Sequence, residues 1–478
     1  MTELNLFPYA ITSNRKVSIA VAAVTIVLVI IALLMTRQLL PYDNNSETAV
    51  FLLTVTIGYG FGSWILLGFA KRITTQLRSK SRFINIMNLS VMIIQFSLLG
   101  LLLLMINNNI INCPSYFNLC NQSRFLSTSV YIISTIAASI IMALISLKFF
   151  AWYKLSSGNH IILLYALATL TISIAIAADA SAKLLIVQVV EEKSPNGLLV
   201  PQASFLYKPD KKYHGQIQYK VVNPDTTILY IVPSSGIRLY DLINLIPITL
   251  SFIFRWGATS MILRQFYQRV RKLPPTFWII LTIPLILYLV GKIPDIISLP
   301  VDYPYRFYFR ILFRVGTIGG NILFGLVFFM IARKIVSVDR TSAKIKDYLT
   351  ICAIGITMLI SLSVSALQQS YGVAAHSLIL LSSYLFSVGL YSSAIAVSQD
   401  SSLRQAIRRS AVELIDYIGK AQMEQELRTK VKQLIQVNMT KMEEQTGGIY
   451  TSLTENDLKE YLDQAIEEAI KTRKKDHN

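Results

Sequence analysis

The sequence predicts an all-α polytopic membrane protein of about ten transmembrane helices, with a small β-rich extracytoplasmic insertion and a cytoplasmic helical tail. Three observations lead there. Of 478 residues, 53% are hydrophobic and only 15% are charged, against roughly 45–50% and about 25% in soluble domains. The apolar residues gather in runs of about 20, the length a helix needs to cross the hydrocarbon of a bilayer. Basic residues cluster beside alternate runs, as they do where loops stay in the cytoplasm.

Taken in order, the first five spans run over Val17 to Met35, Ala49 to Ala70, Ile86 to Ile106, Val130 to Phe150 and Ile161 to Ala178. The second five run over Leu242 to Leu263, Phe277 to Leu299, Ile311 to Ala332, Tyr348 to Leu367 and Ser377 to Val397. The seventh is interrupted by Lys292, Pro294 and Asp295. The first has too long an apolar core for a removable signal peptide and reads as an anchor. The chain then divides into residues 1–180 (helices one to five), 181–240 (insertion), 241–398 (helices six to ten) and 399–478 (tail).

With the N-terminus inside, the inner loops collect Arg15, Lys16, Lys71, Arg72, Arg78, Lys80, Arg82, Lys148 and Lys154, and then Arg264, Arg269, Arg271, Lys272, Arg333, Lys334, Arg340, Lys344 and Lys346. The short outer loops hold far fewer, such as Arg37 and Arg124. This asymmetry places both termini in the cytoplasm and the chain in the cell membrane. The formal charge of +18 is confined to the membrane part, because residues 399–478 carry 13 basic and 14 acidic side chains. The cationic excess therefore faces lipid headgroups, and nucleic acid is not expected as a partner.

Cys113 and Cys120 share one outer loop, where two cysteines could close a small disulfide ring or stand as free thiols. Asn44 and Asn121 head glycosylation sequons on the outer side, although Asn88 and Asn438 make the same pattern on the inner side. The insertion reads as β. Residues Gly215 to Val222 alternate, Thr226 to Val232 is β-branched, and Pro195 to Gly197, Asn223-Pro224 and Ser234 to Gly236 break the runs. Three or four short strands are expected, too small a unit to stand without leaning on the helices or a second protomer.

In the tail, Leu403, Ile407, Ala411, Leu414, Ile418 and Ala421 recur at three- and four-residue spacing, a coiled-coil-like stripe. The register shifts near Met423 before Leu427, Val431 and Leu434 continue it. Gly447-Gly448 ends that helix, and Thr454 with Asp457 caps a second one with its own apolar face. Balanced charge points to a protein partner or a homodimer through the tail.

Motifs for chemistry are sparse. His160, His214, His376 and His477 are scattered, with no HExxH or Cys-x-x-Cys spacing, so neither a metal nor any other cofactor is implied. No phosphate loop, nucleophile elbow or phosphoacceptor histidine motif occurs, and the chain does not read as an enzyme. Thr56 to Gly60 reads TIGYG, like a potassium filter, but no full inner helix follows before Lys71-Arg72. Gly58 and Gly62 there read as a small-xxx-small helix face.

Charge at the outer face is the candidate ligand-binding feature. Arg306, Arg310 and Arg314 are four residues apart on one face of the eighth span, with Lys292 and Asp295 of the seventh nearby in topology. Asp302, Asp241, Asp179 and Lys183 fall in the same outer layer. Intramembrane charges are costly, so these groups either pair with one another or line a wet pocket for an anionic or zwitterionic ligand. Arg255, a third of the way in from the inner side of the sixth span, reads as a snorkelling side chain.

The segment SQDSSLRQAIRRSAVELIDYIGKAQMEQEL, ending at Leu427, together with SLTENDLKEYLDQAIEEAI, resembles the tail of uncharacterised multi-pass membrane proteins of ammonia-oxidising archaea. That resemblance implies an archaeal cell membrane and carries no activity. Three functions fit these observations: a sensor-like transducer coupling an outer cavity and cap to the tail, a secondary transporter with two five-helix halves, and a scaffold with no small-molecule ligand.

Overall fold

In a computed structural model the described residues are 63–71, 82–107, 121–156, 159–193, 217–222, 227–232, 234–268, 275–296, 305–338, 343–359, 372–410 and 413–446. They are almost wholly helical. Residues 63–71 form a short helical segment, followed by α1 (Arg82–Asn107), α2 (Asn121–Leu155) and α3 (His160–Lys193). After one hairpin come α4 (Ser234–Gln268), α5 (Pro275–Ile296), α6 (Arg306–Val338), α7 (Ala343–Met358) and α8 (Gly372–Gln399). The tail contributes α9 (Ser401–Ser410) and α10 (Glu413–Thr446).

Five of these helices are long and apolar enough to cross a membrane: Ile132–Leu155, His160–Ser181, Leu245–Gln265, Ile311–Ile335 and Leu378–Gln399. Ile86–Gly100 and Leu281–Pro294 are shorter apolar stretches. The predicted first span lies outside the described residues, and so do most of the second and the end of the ninth. Within the insertion, β1 (Ile217–Val222) pairs antiparallel with β2 (Thr227–Val232), Tyr219 opposite Tyr230. Helix α3 continues to Lys193 and α4 begins at Ser234, so helical residues occupy both ends of the predicted insertion. Its remaining residues lie outside the described set, as do Cys113, Cys120 and Asn44.

One helix is central. Every residue in the apolar window of α8 is buried, against a third of the window in α4. Helices α1, α2, α7 and α10 all pack on α8. Two glycines let α7 and α8 touch backbone to backbone: a Cβ on Gly389 would lie 2.6 Å from the Cys352 N and the Tyr348 O, and one on Gly355 would lie 2.3 Å from the Phe386 N. Small residues serve this purpose where lipid supplies no hydrophobic drive between helices. Elsewhere polar side chains join the helices. Ser139 and Ser173 each donate to the other's carbonyl, at 3.0 and 2.9 Å, and Ser146 donates to the Ala166 carbonyl at 2.9 Å, tying α2 to α3.

The outer helices show the complementary pattern. Ile86, Leu89, Ile93 and Phe96 of α1, and Ile133, Ile136, Ile140, Leu144 and Leu147 of α2, are exposed at helical spacing. An apolar face left outside a packed bundle is what a helix presents to acyl chains.

Candidate functional site

Of the outer charges the structure describes a part. Arg306 opens α6 and Arg310 and Arg314 follow on the same stripe, but among these three only the Arg314 side chain is described, and it is half-buried. The Lys292 ammonium lies over the Phe313 ring of α6, 4.3 Å from its centroid, a cation–π contact that anchors the end of α5 to α6. Lys292, Arg314 and Asp179 are each engaged within the protein. The Asp295 side chain lies outside the described residues. Packing around Lys292 is tight, since a Cβ on Gly291 would lie 2.4 Å from the Phe313 N.

The most deeply buried charge among the described residues is one that snorkelling does not explain. Arg255 is midway along the span Leu245–Gln265 and only 4% exposed. Its Nη1 donates to Asn321 Oδ1 of α6 at 2.8 Å, and its Nε donates to the Ser251 carbonyl at 3.3 Å. The guanidinium lies 5.2 Å from the Phe324 centroid and 5.9 Å from that of Phe252. Asn321 is held in turn by its own Nδ2, which donates to the Thr317 carbonyl at 2.9 Å. Phe252 stacks on Tyr288 of α5 at 4.0 Å and meets Phe324 edge-on at 5.3 Å, closing an aromatic wall around the charge. A guanidinium carries five N–H donors, and two are used here.

Sequence reasoning missed this pairing because Arg255 and Asn321 are 66 residues apart. The one available signal was a lone asparagine inside the apolar run of the eighth span.

A second polar cluster joins the tail to the bundle. Trp152 at the end of α2 donates its Nε1 to Gln422 Oε1 of α10 at 3.1 Å, with both residues buried. Gln422 Nε2 donates to Glu426 Oε1 at 3.1 Å, and Ser398 Oγ at the end of α8 lies 3.1 Å from the same oxygen. Leu414, Ile415, Ile418 and Ala421 are buried around this chain of bonds, as are Leu403 and Ile407 of α9. At Gly419 a Cβ would lie 2.1 Å from Val397 Cγ1, so the Val397 side chain of α8 packs directly on the α10 backbone there. The predicted tail stripe thus packs on the chain's own helices. After Met423 the face changes, and Leu427 is 43% exposed.

The joint between span and tail is short and doubly capped. Asp400 Oδ1 accepts from the Ser402 N–H at 2.9 Å and the Leu403 N–H at 3.2 Å, as an N-cap of α9 does. Arg404 Nη1 donates back to the carbonyls of Ser398 and Val397 at the end of α8. Hydrogen bonds from the Ser402 hydroxyl, and then from the Leu403 and Ser402 N–H groups, hold the Asp400 carboxyl below its ordinary pKa, with Arg404 assisting and partial burial opposing.

No metal-ligand group of three or more His, Cys, Asp or Glu occurs among the described residues. No protein-family model, curated protein or solved structure matches this chain.

Proposed function

We propose that the chain is a multi-pass membrane transducer, with both termini in the cytoplasm of the cell, that couples rearrangement of its helical bundle to the docking of its tail. The observation that carries this reading is the clasp from Trp152 through Gln422 to Glu426 and Ser398. It fastens α10 to the ends of α2 and α8, and α8 is the helix whose apolar window is wholly buried. A displacement of α8 would pull directly on the tail, because only the capped Asp400 separates α8 from α9. The half of α10 beyond Met423 then offers Leu427 to a cytoplasmic partner or a second copy of the chain.

Coupling of this kind is reciprocal. Gly419→Leu should push α10 off Val397, and release of the tail should loosen α8 in turn. Cys352, buried and against the backbone of Gly389, reports on that helix. In a background with Cys113→Ser and Cys120→Ser, labelling of Cys352 by a membrane-permeant maleimide should speed up about tenfold or more when the tail is released. If a protease shows the tail freed while Cys352 labelling stays at the wild-type rate, the transducer reading fails.

A secondary carrier of an anionic or zwitterionic solute is the second reading, favoured by Arg255 at mid-span. Uptake into proteoliposomes, lost on substitution of Arg255, would support it.

A further inference from the structure

The buried Arg255 is a positive charge in mid-span without a counter-charge: among the described residues no carboxylate forms an ion pair with it. Its side-chain partner, Asn321, is neutral. Burying an ion without compensation costs several kcal/mol even after relaxation, and arginine does not shed its proton to escape that cost. Aromatic faces offset part of it. Three of its five N–H donors have no acceptor among the described residues, given the two already taken by Asn321 and Ser251.

The hydroxyls nearby are also open. Ser251 and Thr317 each stand one helical turn before the residue they serve, Arg255 on α4 and Asn321 on α6, and each gives its carbonyl to that residue's side chain. Their own hydroxyls, Ser251 Oγ and Thr317 Oγ1, are buried with no hydrogen-bond partner. Serine and threonine in helices can donate back to a carbonyl three or four residues earlier, as Thr169, Thr171, Ser382 and Ser393 do in this bundle, while Thr249 and Thr259 of α4 and Ser383, Ser387 and Ser392 of α8 are open like Ser251 and Thr317. Through those two carbonyls Ser251 and Thr317 belong to the same layer as the Arg255–Asn321 pair, so two open hydroxyls and a guanidinium with unused donors share that layer without a negative acceptor among the described residues.

We infer that Arg255, with the hydroxyls of Ser251 and Thr317, holds a small monovalent anion between α4 and α6, either an inorganic halide or the carboxylate of a small solute. The anion neutralises the guanidinium and takes the open donors, while Asn321 orients the guanidinium from the other side. This site is distinct from the tail clasp, so its test does not depend on the transducer reading.

The experiment uses the full-length protein in lipid nanodiscs, exchanged into a sulfate buffer free of halide and carboxylate, and measures retention of radiolabelled chloride by scintillation proximity. Saturable binding of about one chloride per chain is expected, with unlabelled bromide and formate as competitors. Displacement by bromide far below the formate concentration needed identifies a halide site, and the reverse order identifies a carboxylate site. Arg255→Met should abolish binding. Ser251→Ala with Thr317→Val keeps the charge and should weaken binding at least tenfold, and it decides the question if Arg255→Met does not fold. Absence of saturable binding of chloride or labelled formate to the wild type would overturn the inference. So would binding that survives Arg255→Met, or an affinity unchanged in the double variant.

Discussion

Two buried polar clusters occupy opposite regimes in this molecule. In the tail clasp, the Trp152 Nε1 and both ends of the Gln422 amide are engaged, and the acceptor at the end is a carboxylate. Around Arg255 the donors outnumber the acceptors among the described residues, and the side-chain partner there is a neutral amide. A closed network rigidifies and specifies one packing, whereas an open one stores an electrostatic demand that something else must meet. The proposed roles follow this difference, holding for the clasp and binding for the Arg255 layer.

The largest effect that could break this contrast lies at Asn321. Asn321→Leu removes the side-chain acceptor that Arg255 has among the described residues and leaves the charge buried, which should cost about 3 kcal/mol of unfolding free energy. Arg255→Met combined with Asn321→Leu should recover most of that loss, because an apolar pair replaces an unbalanced polar one. Denaturant unfolding of the four proteins in one detergent gives the coupling. A cost for Asn321→Leu within about 0.5 kcal/mol of zero, the range of ordinary surface changes, would show that the Arg255 layer is not under electrostatic stress.

A smaller effect sharpens the other side. Gln422→Leu leaves Trp152 Nε1 and Glu426 without their bridge, and an unsatisfied buried polar group costs about 1–3 kcal/mol. The loss should appear locally, as faster hydrogen exchange in residues 413–426 with little change in α4 or α6. Uniform acceleration across the bundle would mean that the clasp is a part of the global core and cannot act as a separate latch.

How much of this could be read from sequence follows from the range of each signal. Apolar runs are local, and they located the helices that contain the five apolar spans, from Ile132–Leu155 to Leu378–Gln399. The tail stripe of Leu403, Ile407, Leu414, Ile418 and Ala421 was legible as a face, since spacing alone defines it. Its occupant was not, because periodicity says which side is buried and nothing about what covers it; here the chain's own helices do. Arg255 failed for a related reason. A lone arginine toward one end of an apolar run looks like a side chain reaching for headgroups, and only its fold partner, Asn321, shows that it turns inward. The outer arginines are conspicuous in sequence by their four-residue spacing, and of that layer the described contact is Lys292 over the Phe313 ring, while the Arg306, Arg310 and Asp295 side chains lie outside the described residues.

The smallest predicted effect tests whether the joint between bundle and tail is itself a part of the latch. Asp400 caps α9 through the Ser402 N–H and the Leu403 N–H, and Ser402 Oγ donates to the same carboxylate at 2.6 Å. These bonds favour the ionised form and hold its pKa down, so the cap's contribution is fully present above the ordinary carboxylate pKa of about 4. It is lost as pH falls through the depressed native value. Asp400→Ala should therefore cost about 1 kcal/mol near neutral pH, the usual worth of an N-cap, and solvent screening at this largely exposed carboxyl holds the electrostatic part low. The cost should shrink toward zero as the wild type is titrated below about pH 4. Thermal unfolding of both proteins from pH 7 to pH 3 measures it. A difference that stays constant over that range would assign the cap to backbone geometry rather than to the carboxylate. A difference that vanishes on acidification would show that the charge on Asp400 holds α9 in line with α8, so that a force on the central helix reaches the clasp without being absorbed at the joint.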